Sequence, residues 1–112
     1  TSMEQSDLES AGVSRPVDEQ VRFLAKQTAL AGLNGVVCSA MEAEQLRQDR
    51  GQDFVLVTPG VRPIGSAAGD QKRIVTPAQA ISLGSSYLVI GRPITQANDP
   101  MQVLTDILSE LS

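Results

Sequence analysis

Phe54-Val55-Leu56-Val57-Thr58, followed at once by Pro59-Gly60-Val61-Arg62-Pro63, is the stretch on which the fold turns. Its unbroken apolar run has no polar alternation, which describes a strand buried on both faces rather than one half in water. The same unit recurs on either side. Upstream, Gly35-Val36-Val37-Cys38-Ser39-Ala40 is a run too short for a helix and rich in β-branched residues; downstream, Tyr87-Leu88-Val89-Ile90 is a third.

Helical patterns separate these runs. After Pro16, the residues Val17, Val21, Leu24, Ala25 and Thr28 recur at helical spacing, with Asp18 and Glu19 in the first turn, where the helix dipole favours acids. Gly32 ends that helix. Ser39 and Glu42 form a capping box that opens the next, ending near Gly51. Thr76-Pro77-Ala78-Gln79 is a helix start with proline in the first turn, and Gly84 stops it. From Asp99-Pro100, a last helix carries Val103, Leu104, Ile107, Leu108 and Leu111 on one stripe. The acidic stretch Glu4 to Glu9 reads as a solvated helix or loop. The order α-β-α-β-α-β-α with continuously apolar strands predicts an α/β fold with a helix-covered parallel sheet. An open doubly wound sheet and part of a (β/α)8 barrel both fit. A complete barrel needs roughly 250 residues, and 112 are present. Three strands alone also leave open edges and a bare sheet face, so residues 1–112 read as one partial barrel unit.

Composition narrows the class. The only aromatic residues are Phe23, Phe54 and Tyr87, so the core must come from Val, Ile, Leu and Ala. No apolar run approaches the ~20 residues needed to cross a bilayer, and Thr1-Ser2-Met3-Glu4 has no signal-peptide pattern. Cys38 is the single cysteine and can form no intrachain disulfide, which favours a reducing cytoplasm. With no histidine to activate it, Cys38 reads as core; the same lack excludes a histidine-based triad or metal site within the chain. A net charge of −4 argues against nucleic acid as a partner. Between Phe54 and Asn98, however, Arg62, Lys72, Arg73 and Arg92 face only Asp70. That stretch carries +3 and the rest of the chain −7. A local cationic stretch suits a small anionic ligand, although ordinary surface scatter gives the same sum.

Ligands of such folds bind at the C-terminal ends of the strands. Three segments fall there: Thr58-Pro59-Gly60-Val61-Arg62-Pro63, the long stretch from Pro59 to Val75, and Ile90-Gly91-Arg92-Pro93. Glycine lets backbone amides approach an anion, and arginine offers a bidentate fork matched to phosphate oxygens. Gly91-Arg92 is therefore the principal phosphate candidate, with a simple turn as its alternative reading.

These blocks resemble orotidine 5′-monophosphate decarboxylase of the bacterial type. Thr1-Ser2-Met3, Gly35 to Ala40, Leu56 to Pro63, Gly69-Asp70-Gln71-Lys72-Arg73, Thr76-Pro77 and Val89 to Pro93 occur in the family's order. The resemblance implies the C-terminal part of a (β/α)8 TIM barrel, from the end of strand five through strand eight and the final helix. It implies decarboxylation of orotidine 5′-monophosphate to uridine 5′-monophosphate, in pyrimidine biosynthesis, with no metal or organic cofactor. The implied substrate-binding set is Thr1, Ser2, Pro59, Arg62, Gln71, Gly91 and Arg92. In that set Gly91 and Arg92 grip the 5′-phosphate, Gln71 bridges phosphate and pyrimidine, and Thr1 and Ser2 lie at the end of strand five. The implied partners are the N-terminal half of the same barrel and, for the full-length enzyme, a second copy in a homodimer.

The departure from the pattern is plain. The family's catalytic Lys/Asp array belongs to the front half, and neither Lys26 nor Lys72 lies in a D-x-K-x-x-D pattern. No catalytic residue is expected in this chain, and the isolated piece is expected to be inactive and poorly folded. The alternatives are another phosphate-binding barrel enzyme, such as a hexulose-phosphate synthase, or a stand-alone, non-enzymatic nucleotide-binding half-barrel.

Overall fold

In the computed structural model, residues 2–64 and 75–112 are described. The chain runs α1 (Gln5–Ser10), α2 (Val17–Leu30), β1 (Gly35–Val37), α3 (Ala40–Arg50), β2 (Val55–Thr58), α4 (Pro77–Ser82), β3 (Tyr87–Leu88), α5 (Arg92–Thr95) and α6 (Pro100–Leu111). The capping chemistry is as the sequence predicts. Ser39 Oγ accepts from the Met41 amide, and Glu42 returns a carboxylate oxygen to the Ser39 amide at 3.0 Å. Thr76 and Gln79 form the reciprocal pair at α4, and Asp99 Oδ1 accepts from the Gln102 amide at 3.1 Å. The acidic N-terminal stretch is helical. Gln5, on α1, accepts from the Val17 amide and donates to the Arg15 carbonyl, which holds the start of α2.

The three strands are parallel and lie side by side in chain order, β1-β2-β3. An open doubly wound sheet reverses its strand order at a switch point; a barrel adds each strand beside the last. Val36 pairs with Leu56 and Thr58 with Leu88, and these residues face the helices. On that side α2 and α3 enclose Ala25, Cys38, Ala43, Leu46, Phe54 and Leu56. A second cluster, Ala40, Val61 and Ala80, is packed by Val75, Leu83, Leu88 and Ile90.

The other sheet face has no such cover among the described residues. Val37, Val57 and Tyr87 share one row, and alternation carries Val55 and Val89 onto the same face. Val37 is 70% exposed, Tyr87 66% and Val89 52%. The molecule is a slab of 42 × 33 × 18 Å with a radius of gyration of 15.0 Å, against about 13 Å for a compact domain of this length. A parallel sheet clad on one face only, with an apolar inner face, is the geometry of a barrel segment.

At the N-terminal ends of the strands, Arg47 joins three segments. Its guanidinium donates to the carbonyls of Gly51, Gln52, Phe54 and Gly84, and to Ser86 Oγ. Ser86 Oγ in turn accepts from the Leu56 amide at 3.0 Å. One side chain therefore fixes the end of α3 and the entries to β2 and β3. On the surface, Arg22 meets Asp49 in a two-pronged pair (2.7 and 3.1 Å) that ties α2 to α3, and that contact holds the Asp49 carboxyl below its ordinary range.

Candidate functional site

The strand ends opposite Arg47 gather the candidate residues. The Cys38 amide donates to Val57 O and the Val89 amide to Thr58 O, so the exits of β1, β2 and β3 lie side by side. Thr58 and Ser85, both buried, share a hydrogen bond of 2.7 Å that pins the end of β2 to the turn entering β3. Beyond Thr58 the chain turns sharply through Gly60, whose φ of +74° lies in the left-handed region that side chains disfavour. Strand alternation continued past β2 and β3 assigns Pro59 and Gly91 to the uncovered inner face.

Arg62 is the informative residue. It is only 8% exposed, and its Nε is buried without a hydrogen-bond partner among the described residues. Its backbone amide donates to Val75 O at 3.0 Å, and Val61 and Val75 form a parallel bridge, so the two ends of the 62–75 segment are joined at their base. A buried guanidinium nitrogen without an acceptor costs on the order of 1–3 kcal/mol.

Gly91 caps α5. Its carbonyl accepts from the amides of Ile94 and Thr95 and from Thr95 Oγ1, while the first amides of a helix have no intrahelical partner. A methyl placed on Gly91 would meet nothing within 4 Å among the described residues. Arg92 is exposed in the first turn of α5. Because Val61 and Ile90 pack into one cluster, Arg62 and Gly91-Arg92 flank the same apolar plug. Ser2 is exposed, and its neighbour Met3 shares a cleft with Met41 and Glu42 at the start of α3, the element that follows β1. The structure thus brings Pro59, Arg62, Gly91 and Arg92 to one end of the sheet, with Ser2 on its flank. Thr1 and Gln71 lie outside the described residues, as do Lys72 and Arg73.

Two features escaped the sequence reading. One is α5 itself, which Pro93 immediately after Gly91-Arg92 signals as a helix start. The other is a cavity of about 330 Å³ over the ends of β1 and β2, bounded by Val37, Cys38, Ser39 and Pro59 with α2 behind; no motif marks it. Cys38 is buried beside it. Burial, reinforced by the nearby Glu42 carboxylate, raises its thiol to about 11, so it stays protonated and unreactive near neutrality.

Consecutive parallel strands with helices on one side define a segment of a (β/α)8 barrel. The comparisons give the family. The model of the orotidine 5′-phosphate decarboxylase / HUMPS family matches residues 1–107, and the chain belongs to that family. It is 61% identical over 107 residues to the orotidine 5′-phosphate decarboxylase of Pseudoalteromonas translucida, covering 96% of this chain and 46% of that protein. Against the orotidine 5′-phosphate decarboxylase of Photobacterium profundum the identity is 56% over 112 residues, covering 100% and 48%. The crystal structure of the orotidine 5′-phosphate decarboxylase from Lactobacillus acidophilus superposes with a TM-score of 0.78 at 36% identity, over 98% of this chain and 44% of that one. The chain spans about half the length of the curated relatives it matches.

Proposed function

We propose that this chain is the phosphate- and pyrimidine-binding rear half of an orotidine 5′-monophosphate decarboxylase, with the front half of the barrel supplying the catalytic Lys/Asp array. The observation that carries the reading is the buried Arg62, whose Nε has no acceptor among the described residues, at strand ends shared with Gly91-Arg92. In this reading Arg92 and the Gly91 amide hold the 5′-phosphate and Arg62 belongs to the same set. Thr1, Ser2, Pro59 and Gln71 border the pyrimidine, Gln71 bridging to the phosphate. The whole enzyme acts in the cytoplasm as a homodimer, a setting in which a lone buried thiol stays reduced.

The chemistry fits this division of labour. Loss of carbon dioxide leaves charge at C6 of the pyrimidine with little delocalisation, so the site must stabilise it electrostatically. The phosphate lies away from the reacting carbon; its binding energy can be used to close the site and exclude water. Residues of the rear half hold and orient, and the front half moves the proton. The hexulose-phosphate alternative shares the phosphate grip. Relatives 56–61% identical that are named orotidine 5′-phosphate decarboxylase favour the nucleotide.

The test is a chimera in which this chain replaces the matching segment of the Pseudoalteromonas translucida protein. The chimera is expected to release carbon dioxide from orotidine 5′-monophosphate, and Arg62→Ala within it to lower kcat/KM by about ten- to a hundredfold, the worth of a charge-assisted hydrogen bond. A folded chimera that leaves the nucleotide unchanged would overturn the assignment.

A further inference from the structure

We infer that the buried Thr58–Ser85 hydrogen bond is a positioning pair, whose work is to hold Arg62 in place at the strand exits. The inference rests on the reading that counts Arg62 among the nucleotide-binding residues, and it adds two side chains that place it. Thr58 is completely buried and Ser85 is 7% exposed, and their hydroxyl oxygens lie 2.7 Å apart. The Thr58 hydroxyl also hydrogen-bonds the Cys38 thiol, so the exits of β1 and β2 share the anchor.

The pair closes a ring of bonds. From Thr58 the chain turns through Gly60 to Arg62, whose amide donates to Val75 O at 3.0 Å. The next residue, Thr76, accepts from the Ala80 amide at 2.9 Å, and Ala80 accepts from the Ser85 amide at 3.1 Å. The Ser85 hydroxyl then returns to Thr58. Val61 and Ala80, one from each arm of the ring, pack in the same cluster. Between Thr58 and Arg62 the backbone does little to fix itself, because Pro59 has no amide to donate and glycine is the least restrained residue. Arg62 is therefore placed by whatever holds the two ends of this turn. The Val89 amide already pins the Thr58 carbonyl to β3; what the side-chain bond adds is the tie to the turn that ends α4. Two buried hydroxyls contribute little net stability over an apolar pair of the same shape. What they supply is direction.

The experiment compares the chimera with its Thr58→Val/Ser85→Ala double variant, which removes both hydroxyls and strands neither partner, and with Ser85→Ala as the milder change. Amide hydrogen exchange at Arg62 is expected to be about tenfold faster in the double variant, with no change at Leu46 in α3. Calorimetric titration with uridine 5′-monophosphate is expected to show about tenfold weaker binding, while Thr58→Ser, which keeps the hydroxyl, stays near the parent. In an Arg62→Ala background the double change is expected to cost nothing further, a coupling that a role in stability alone does not produce. Ser82→Ala, which removes an exposed hydroxyl from α4, leaves both readouts unchanged. Faster exchange at Arg62 with unchanged nucleotide affinity supports the positioning pair and takes Arg62 out of the nucleotide set, which sinks the functional reading instead. The inference is overturned if Arg62 exchanges at the parent's rate in both hydroxyl variants, or if its rate rises no more than that of Leu46. It is equally overturned if the affinity loss persists undiminished without the Arg62 guanidinium.

Discussion

Arg47 and Cys38 bracket what single residues do here. Arg47 satisfies carbonyls from two turns at once, a geometry that needs the planar fork and that a lysine ammonium cannot reproduce. In the chimera, Arg47→Met is expected to lower unfolding stability by about 2–4 kcal/mol, and Arg47→Lys to recover only a minor part, as urea midpoints would record. Equal stability of all three proteins would contradict the staple. For Cys38 the folded thiol is raised to about 11 from an ordinary 9.0. Its contribution is complete below pH 9, where both states keep the proton. It fades as pH climbs to 11, because the unfolded thiol ionises first. Wild-type stability should therefore fall by roughly 2 kcal/mol more than that of Cys38→Ala across this window. Parallel pH profiles would refute the buried thiol. Cys38 is legible as core from its apolar neighbours; Arg47 is not, because its role depends on carbonyls that only the folded turns bring together.

At the level of elements, helix starts are legible because caps are local chemistry. Ser39-Glu42, Thr76-Gln79 and Asp99-Gln102 each need only three or four neighbouring residues. Strand ends are less so. The runs Gly35 to Ala40 and Tyr87 to Ile90 extend past the paired residues Gly35–Val37 and Tyr87–Leu88, because apolar residues continue into the turns that pack Ala40 and Ile90. Gly35 is a constraint of pairing: a Cβ there would overlap the Val55 carbonyl oxygen and side chain. Gly35→Ala in the chimera is expected to disrupt the β1–β2 ladder, seen as lost amide protection at Val55 and Cys38; retained protection would contradict the close approach. Gly91→Ala is the opposite case, since the added methyl meets nothing within 4 Å among the described residues. Its stability should be unchanged while the methyl obstructs an approaching phosphate and nucleotide affinity falls; unchanged affinity would contradict a close approach of the anion to Gly91.

For the molecule as a whole, alternating apolar strands and helices already imply a parallel sheet, and length implies an incomplete one. What the sequence leaves open is the choice between barrel and doubly wound sheet. Strand order and the uncovered row at Val37, Val57 and Tyr87 decide it. The candidate site is legible in part. Gly91-Arg92 and Arg62 stand out by type and position, but the burial of Arg62 depends on the Val61–Val75 bridge, a contact between residues far apart in the chain. The central claim is that the rear half grips a phosphate, and it is tested most directly by calorimetric titration of the chimera with uridine 5′-monophosphate and with uridine. Arg92→Ala is expected to weaken the nucleotide at least tenfold and leave the nucleoside unchanged. Equal losses for both ligands, or none for either, would contradict the grip.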